Sequence, residues 1–172
     1  MALNNMALDN NSIYETIHQH FGESVSNLGD TYSMLNVEIK PKQIVALISW
    51  LQNHETLQFN FLTDICAVHY PEQTEREIAV VYHMHSFSNN VRVRIKAYLP
   101  EQNPEIPTLT GIFSAANWME RETYDFFGVR FLGHPDLRRI LNVDHMEMFP
   151  MLKQYPLEDS SRTDKDDRFF GR

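Results

Sequence analysis

A predicted β-hairpin constrains what this chain can fold into more than any other segment. Its two strands, Ile78 to Phe87 and Val91 to Leu99, are rich in β-branched and aromatic residues and flank the polar turn Ser88-Asn89-Asn90. Apolar and polar residues alternate in the second strand, which is typical of a strand with one buried face. The opposite face of that strand carries a basic stripe formed by Arg92, Arg94 and Lys96. The chain is therefore expected to build its core against one face of a sheet.

The segments before the hairpin predict further strands and helices. Met34 to Ile39 alternates as a strand does, and Phe59 to Tyr70 predicts a second strand with an irregular middle at Asp64. Apolar residues at helical spacing predict one helix from Ser12, its N-cap, to Gly22 and another from Gln43 to Leu51. The predicted fold class is α+β, with a mixed or antiparallel sheet, helices packed on one face and an extended C-terminal arm.

A third helix is predicted near residues 113–127. Its apolar face is formed by Ile112, Ala116, Met119, Thr123, Phe126 and Phe127. Ser114 or Thr110 would cap its start, and Gly128 would end it in the left-handed conformation.

The charged residues of this helix admit two interpretations. Off the apolar face lie mainly Glu120, Arg121 and Asp125. Carboxylates held close together can raise one pKa into a range useful for acid–base catalysis. Residues three or four apart on a helix are also neighbours, so Arg121 can pair with Asp125. Glu122 can reach a cation of the following segment, such as Arg138 or Arg139. The second interpretation is favoured, and it predicts that Glu122 or Asp125 is buried with an arginine.

The sequence beyond Gly133 predicts an extended arm rather than a folded domain. It shows little periodicity and several prolines, so we expect an α+β domain over residues 1–132 and a C-terminal arm over residues 133–172 that docks on a partner subunit. Near its end, Phe169 and Phe170 would leave apolar area in water, and they are predicted to be arm anchors that a partner buries.

Two patterns suggest a ligand site without completing one. His83 and His85 lie two apart on a predicted strand and share a face, but a third metal ligand would have to come from elsewhere in the chain. The glycines at 128 and 133 have phosphate-loop spacing, yet His134-Pro135 stands where Lys and Ser or Thr should be. His134-Pro135 is expected instead to fix the turn after the helix, with the ring bonded to backbone. Contact with a neighbouring catalytic subunit is the alternative.

The composition excludes several classes of function. A net charge of −8 argues against a general nucleic-acid binder, so the basic stripe is expected to be a solvated sheet face or a patch for an acidic neighbour. Cys66 is the single cysteine, which excludes an internal disulfide and a cluster held by cysteines alone. No apolar run approaches the roughly eighteen residues that span a bilayer. Residues 1–17 contain no Lys or Arg, unlike a secretory or transit signal.

The helix and the segment after it resemble the signature of the 30 kDa subunit family of respiratory complex I, which in bacteria is the C-type subunit of the NADH:quinone oxidoreductase. The match holds at every fixed position from Glu120 to Leu141, and a looser likeness extends from about Leu57 to Leu157. The signature or docking residues are Glu120, Arg121, Glu122, Asp125, Gly128, His134, Pro135, Arg138 and Arg139.

The resemblance implies a peripheral-arm subunit without catalytic residues that scaffolds the quinone-reducing module of a proton-translocating NADH:quinone oxidoreductase. The complex is expected to use FMN, iron–sulfur clusters, NADH and quinone, with no cofactor or metal on this chain. The implied partners are the large 49 kDa-type subunit and the cluster-bearing subunits of the quinone module. The implied location is peripheral, on the cytoplasmic face of the bacterial inner membrane, with membrane contact only through the complex.

Two alternatives remain at the level of sequence. The chain could be the equivalent subunit of a related membrane-bound hydrogenase or ferredoxin-dependent complex, since those share this subunit family. It could also be a free-standing acid–base enzyme that uses Glu120, Glu122 and Asp125.

Overall fold

The computed structural model describes residues 8–156, and the predicted hairpin lies inside its main sheet. The strands are β1 (Val25–Thr31), β2 (Met34–Ile39), β3 (Phe61–His69), β4 (Ile78–Ser86), β5 (Val91–Leu99), β6 (Glu105–Pro107) and β7 (Arg130–Leu132). The helices are α1 (Asn10–Phe21), α2 (Ile44–Asn53) and α3 (Ala116–Phe127), with short 3-10 turns at Gly22–Ser24 and Pro41–Gln43.

The main sheet is mixed. Its five strands run in the order β1-β2-β5-β4-β3, and β2 pairs with β5 in parallel while the other neighbours are antiparallel. The parallel pair arises because the chain passes through α2, β3 and β4 before it returns beside β2. A separate parallel pair joins β6 to β7 on the two sides of α3 in sequence.

The core lies on one face of this sheet. Every second residue of β5 from Val93 to Leu99 is buried, as the alternation predicts. The same cluster includes Ile13 and Ile17 of α1, four residues of α2, and Ala116 and Phe127 of α3. The predicted α+β class, with a mixed sheet and helices packed on one face, is confirmed.

Two cap predictions are wrong, and the strands β1, β6 and β7 were not predicted. The N-cap of α1 is Asp9 rather than Ser12, because the Asp9 carboxylate accepts from Ser12 N at 2.6 Å. The start of α3 has no side-chain cap, so neither Ser114 nor Thr110 fills that role. The strand β1 was not predicted because its sequence shows no alternation of apolar and polar residues, and only its first residue, Val25, is buried.

Two other local predictions are confirmed. Gly128 ends α3 in the left-handed conformation with φ 79°, and its N–H donates to Tyr124 O. The pairing of β3 with β4 shifts between Leu62 and Asp64, where the irregular middle of the strand was expected.

Candidate functional site

Asp125, in the last turns of α3, organises the segment that follows the helix. Its side chain is fully buried and accepts from the Arg139 guanidinium at 2.7 Å. The backbone N–H groups of Ile140, Leu141 and Asn142 also donate to it, at 2.8–3.1 Å, as does the Asn142 amide. Burial raises the pKa of this carboxyl, but these hydrogen bonds outweigh burial and hold the pKa well below its ordinary value. A carboxylate in α3 thus fixes the fold of residues 139–142.

Arg139 joins the helix to a later part of the same segment. One nitrogen, Nη1, donates to the Asp125 carboxylate and to Asp125 O, while Nη2 donates to Met146 O and Met148 O at 2.7 and 2.9 Å. The Arg139 side chain is 8% exposed, so the prediction that Glu122 or Asp125 is buried with an arginine is confirmed for Asp125. The planar guanidinium suits this role because its fork of donors can bind several oxygens at once.

Arg121 binds backbone carbonyl groups of the same segment rather than a carboxylate. It does not pair with Asp125 as predicted, because its Nε and Nη2 donate to Arg138 O and Arg139 O, each at 3.2 Å. Its guanidinium also lies 5.0 Å from the ring centre of the exposed Trp118. We call Arg121, Asp125 and Arg139 the arm-binding cluster.

Gly128 allows the end of α3 to pack against the arm. A Cβ at this position would lie 2.7 Å from Phe149 Cε2, closer than real contacts permit, so any other residue would require the Phe149 ring to move. The Phe149 ring packs edge-on against Tyr124 and lies under the Arg139 guanidinium. Next to it, Met151 N donates to Phe126 O at 3.1 Å. The arm therefore returns to the helix a second time.

Glu120 is also fully buried, but its hydrogen bonds reach the segment before α3 rather than the arm. Its carboxylate accepts from Leu109 N at 2.6 Å and from Thr108 Oγ1 at 2.5 Å, both in the segment before α3. Burial raises the pKa of Glu120 to about 7, against the lowering effect of these two bonds. Because Glu120 and Asp125 are both closed off from solvent, the helix offers no carboxylate pair to a substrate, which weighs against the acid–base enzyme.

The remaining signature residues divide into turn-forming and exposed groups. The His134 ring bonds to Asn117 O through Nε2 at 3.1 Å and accepts from Asp136 N through Nδ1 at 3.0 Å, so its predicted bonding to backbone is confirmed. Pro135 lies exposed in the same turn. Arg138 is exposed and pairs with Asp136. The predicted reach of Glu122 to Arg138 or Arg139 is wrong, because both arginines bind other carboxylates and Glu122 is exposed.

The arm leaves apolar side chains in solvent. Between Gly133 and Pro156 the structure has neither helix nor strand, yet Leu152 is buried in the core cluster. The large exposed apolar residues of this stretch are Leu141, Val143, Met148, Met151 and Tyr155. Phe169 and Phe170, the predicted arm anchors, lie outside the described residues. A segment that is fixed at its backbone and apolar on its outer side has the properties of a docking surface.

Several residues of the site were missed by sequence reasoning. Thr108 and Asn142 give hydrogen bonds to the buried carboxylates, and Phe149 fills the space that Gly128 leaves. No periodicity marks these positions, since each acts through a contact between segments distant in sequence. The glycine at the end of α3 was the only available signal for the close approach of Phe149.

Known proteins match the chain over the sheet, α3 and the arm. A family model described as the 30 kDa subunit of respiratory-chain NADH dehydrogenase matches residues 37–161. The second C-type subunit of the NADH-quinone oxidoreductase of Rhizobium meliloti (strain 1021) is 48% identical over 138 residues, which cover 80% of this chain and 74% of that protein.

Two further matches cover nearly the whole length of the other protein. The C-type subunit of the NADH-quinone oxidoreductase of Roseiflexus sp. (strain RS-1) is 38% identical over 167 residues, 96% of this chain and 95% of that protein. A trypsin-resistant fragment of Nqo5, a solved structure, superposes with a TM-score of 0.62 at 28% identity and covers 73% of this chain and 98% of the fragment.

Proposed function

Because the chain belongs to the family of the 30 kDa subunit of respiratory-chain NADH dehydrogenase, we propose that it serves an NADH:quinone oxidoreductase by docking rather than by chemistry of its own. It is a peripheral-arm subunit of that complex, as its signature residues suggested. The related hydrogenase-type complex is not favoured, since the relatives described above are named as subunits of NADH-quinone oxidoreductase.

The arm carries this proposal. The arm-binding cluster fixes residues 138–142 to α3, and the same stretch turns Leu141 outward with 62% of its surface exposed. Residues 133–172 form the docking arm, and residues 1–132 form the domain that presents it. The partner surface is that of the large 49 kDa-type subunit, next to the cluster-bearing subunits of the quinone module. Covering the exposed apolar residues supplies affinity, while the buried hydrogen bonds keep the backbone in place beforehand.

Electron transfer is assigned to the partner subunits. The iron–sulfur clusters are bound elsewhere in the complex, because this chain has a single cysteine and a cluster usually takes four. FMN and quinone are likewise assigned to the partner subunits. Among residues 8–156, no group of three or more His, Cys, Asp or Glu is placed to hold a metal ion. The chain itself carries no catalytic residue in this proposal.

The membrane contact is indirect in this proposal. Within residues 8–156 no helix combines the length and apolar character needed to cross a bilayer. The chain is held at the cytoplasmic face of the bacterial inner membrane through the other subunits.

The test is purification of the complex through a tag on this chain. We expect wild-type protein to bring down subunits that carry FMN and iron–sulfur clusters, together with NADH:quinone reductase activity. Replacing Leu141 and Val143 by Glu should lower the yield of complex without changing the melting temperature of the chain, because both residues are exposed. The matched control is Tyr32→Glu, at the most exposed aromatic residue among those that the structure describes. A wild-type chain that elutes alone would contradict the proposal, and an unchanged yield for the double variant would reject the arm as the docking element.

A further inference from the structure

The face of the main sheet opposite the core concentrates positive charge. Here β5 presents Arg92, Arg94, Lys96 and Tyr98, and we call this surface the open face. The three cations make up half of the six Lys and Arg among residues 1–119, in a chain whose net charge is −8. Alternate residues of a strand lie roughly 7 Å apart, so the cations form a row about 13 Å long.

This charge is not compensated by the rest of the described chain. Among residues 8–156, neither Arg92 nor Lys96 lies within 4.0 Å of a carboxylate. Arg94 donates to His83 Nε2 at 2.8 Å and to Asn36 Oδ1 at 3.1 Å, which are uncharged acceptors. Burial and the Arg94 charge both lower the pKa of His83, so the ring stays neutral at neutral pH.

The two carboxylates of the open face are already engaged or lie at its margin. Glu38 binds the guanidinium of Arg76 through both oxygens, at 2.8 and 2.9 Å. Asp64 lies half-exposed beside His83, 3.6 Å from Nδ1. The row of cations between them remains available to a partner.

One end of the row is apolar. Phe61, His85 and Arg92 are in register across β3, β4 and β5, and Phe87 follows in the turn. The rings of Phe61 and Phe87 lie 5.0 Å apart and are 45% and 61% exposed, although they contact each other. Exposed aromatic rings that form a pair on a sheet face are typical of an interaction surface.

His85 gives an independent sign that this surface is incomplete. Its ring packs 4.6 Å from that of Phe87, and 91% of the residue is buried, the exposed fraction being 9%. Its Nε2 atom is buried and has no hydrogen-bond partner among the described residues. Buried polar atoms without a hydrogen-bond partner are rare in folded proteins and call for an explanation, and a group of a bound partner would be one.

We propose that the open face binds an extended acidic segment of a second protein subunit. Its carboxylates lie along Arg92, Arg94 and Lys96, and an apolar side chain covers Phe61 and Phe87. The inference rests on the proposed function, since the partner is taken to be a subunit of the same complex. It adds a second contact that does not involve the arm.

The observations favour a polypeptide over a nucleic acid. A polyphosphate would meet only three cations, would pass the carboxylates of Asp64 and Glu38, and would be repelled by the net charge of the chain. An acidic polypeptide in extended form repeats its side chains on one face at the same spacing as β5. It can also supply the apolar contact at Phe87.

The single cysteine allows a thiol test in the assembled complex. Burial raises the pKa of Cys66 to about 11, so alkylation should report on a Phe87→Cys variant with little background. We expect alkylation at position 87 to be at least about tenfold slower in the complex than in the full chain alone. A rate that is the same in both would overturn the inference while leaving the proposed function intact.

Charge reversal tests the row of cations. Arg92→Glu combined with Lys96→Glu should lower the yield of complex by about threefold or more at low salt, and the loss relative to wild type should shrink as salt rises, because salt screens both the attraction in wild type and the repulsion in the variant. The matched control is Lys42→Glu, an exposed cation outside the sheet, which should leave the yield unchanged. Unchanged melting of the isolated variants shows that the fold is kept. Equal yields for the double variant and the control would overturn the inference.

A photo-crosslinker identifies the occupant. With benzoylphenylalanine in place of Phe87 in the purified complex, we expect a crosslinked peptide from another subunit that contains several closely spaced Asp or Glu. A crosslink to this chain itself, to a second copy of it, to RNA, or to a peptide without acidic residues would overturn the inference. If the tagged wild-type chain brings down no subunit with NADH:quinone reductase activity, the proposed function fails as well.

Discussion

The two buried carboxylates of α3 lie five positions apart and behave in opposite ways. Asp125 accepts from an arginine, three backbone N–H groups and an amide, and its pKa is held well below the ordinary range. Glu120 accepts from one backbone N–H and one hydroxyl, and burial raises its pKa to about 7. The same helix therefore holds one carboxylate that is strongly stabilised as an anion and one that is close to protonation.

The difference shows that donors, rather than burial, decide what a buried carboxylate does. Both side chains have no exposed surface, so desolvation opposes the charge of each. At Asp125 the donors come from the arm, and the anion therefore determines how residues 139–142 fold. At Glu120 the donors come from the loop before the helix, and their two hydrogen bonds favour the anion too weakly to outweigh burial. The arm therefore depends on a carboxylate charge more than the loop does.

The largest expected effect is that of Asp125→Ala. Removing one member of a buried ion pair typically costs about 3–5 kcal/mol, since the partner charge stays buried. We expect a decrease of that size in the free energy of unfolding measured by urea denaturation at pH 7. Trypsin should also cleave after Arg138 and Arg139 faster than in wild type, because the arm loses its attachment.

The exposed pair of Asp136 and Arg138 provides the matched control. Both side chains are more than half exposed, and such pairs contribute about 0–1 kcal/mol. Asp136→Ala should therefore leave the free energy of unfolding nearly unchanged. If both variants lost the same stability, the arm would not depend on the buried anion.

The stability that Asp125 contributes should also depend on pH. Its pKa is lower in the folded protein than in the unfolded chain, so the contribution is complete only above the ordinary pKa and is lost as the pH falls below about 4.

The opposite pH dependence is expected from Glu120. The folded protein holds this proton more tightly than the unfolded chain, so stability falls as pH rises from the ordinary pKa of 4.5 to about 7. The difference corresponds to about 3 kcal/mol. Glu120→Gln removes the titrating group and should flatten this part of the curve, with a gain in stability above pH 7.

Urea denaturation between pH 4 and pH 8 measures this effect, and Glu122→Gln is the control. Glu122 is exposed on the same helix, so its replacement should leave the slope as it is in wild type. If the free energy of unfolding of the Glu120 variant still fell with rising pH as it does in wild type, another titrating group would be responsible for the pH dependence. A slope of opposite sign in wild type would show that Glu120 is held as an anion, as Asp125 is.

Sequence reasoning predicted the elements of the fold better than the contacts of the site. Alternation in Val91 to Leu99 gave the central strand and the core face, and the glycine at 128 marked the end of α3. Helical spacing placed Glu120 off the apolar face, yet it is buried because Thr108 and Leu109 supply its hydrogen bonds. Spacing within a helix cannot show which distant segment offers donors. It also could not tell that Asp125 would bind Arg139 rather than Arg121, since both are within reach by sequence.

The smallest expected effect separates backbone strain from packing at the end of α3. Gly128 and Gly133 have similar φ values, 79° and 85°, so an alanine at either position should cost about 1–2 kcal/mol in conformational strain. An added Cβ would lie 2.7 Å from the Phe149 ring at position 128, but 3.4 Å from Thr108 at position 133. We therefore expect Gly128→Ala to lower the free energy of unfolding further than Gly133→Ala and to speed cleavage of the arm by trypsin, because Phe149 lies under Arg139 and must move. Equal losses would show that the ring shifts freely and that the arm is held by the charges of the arm-binding cluster alone.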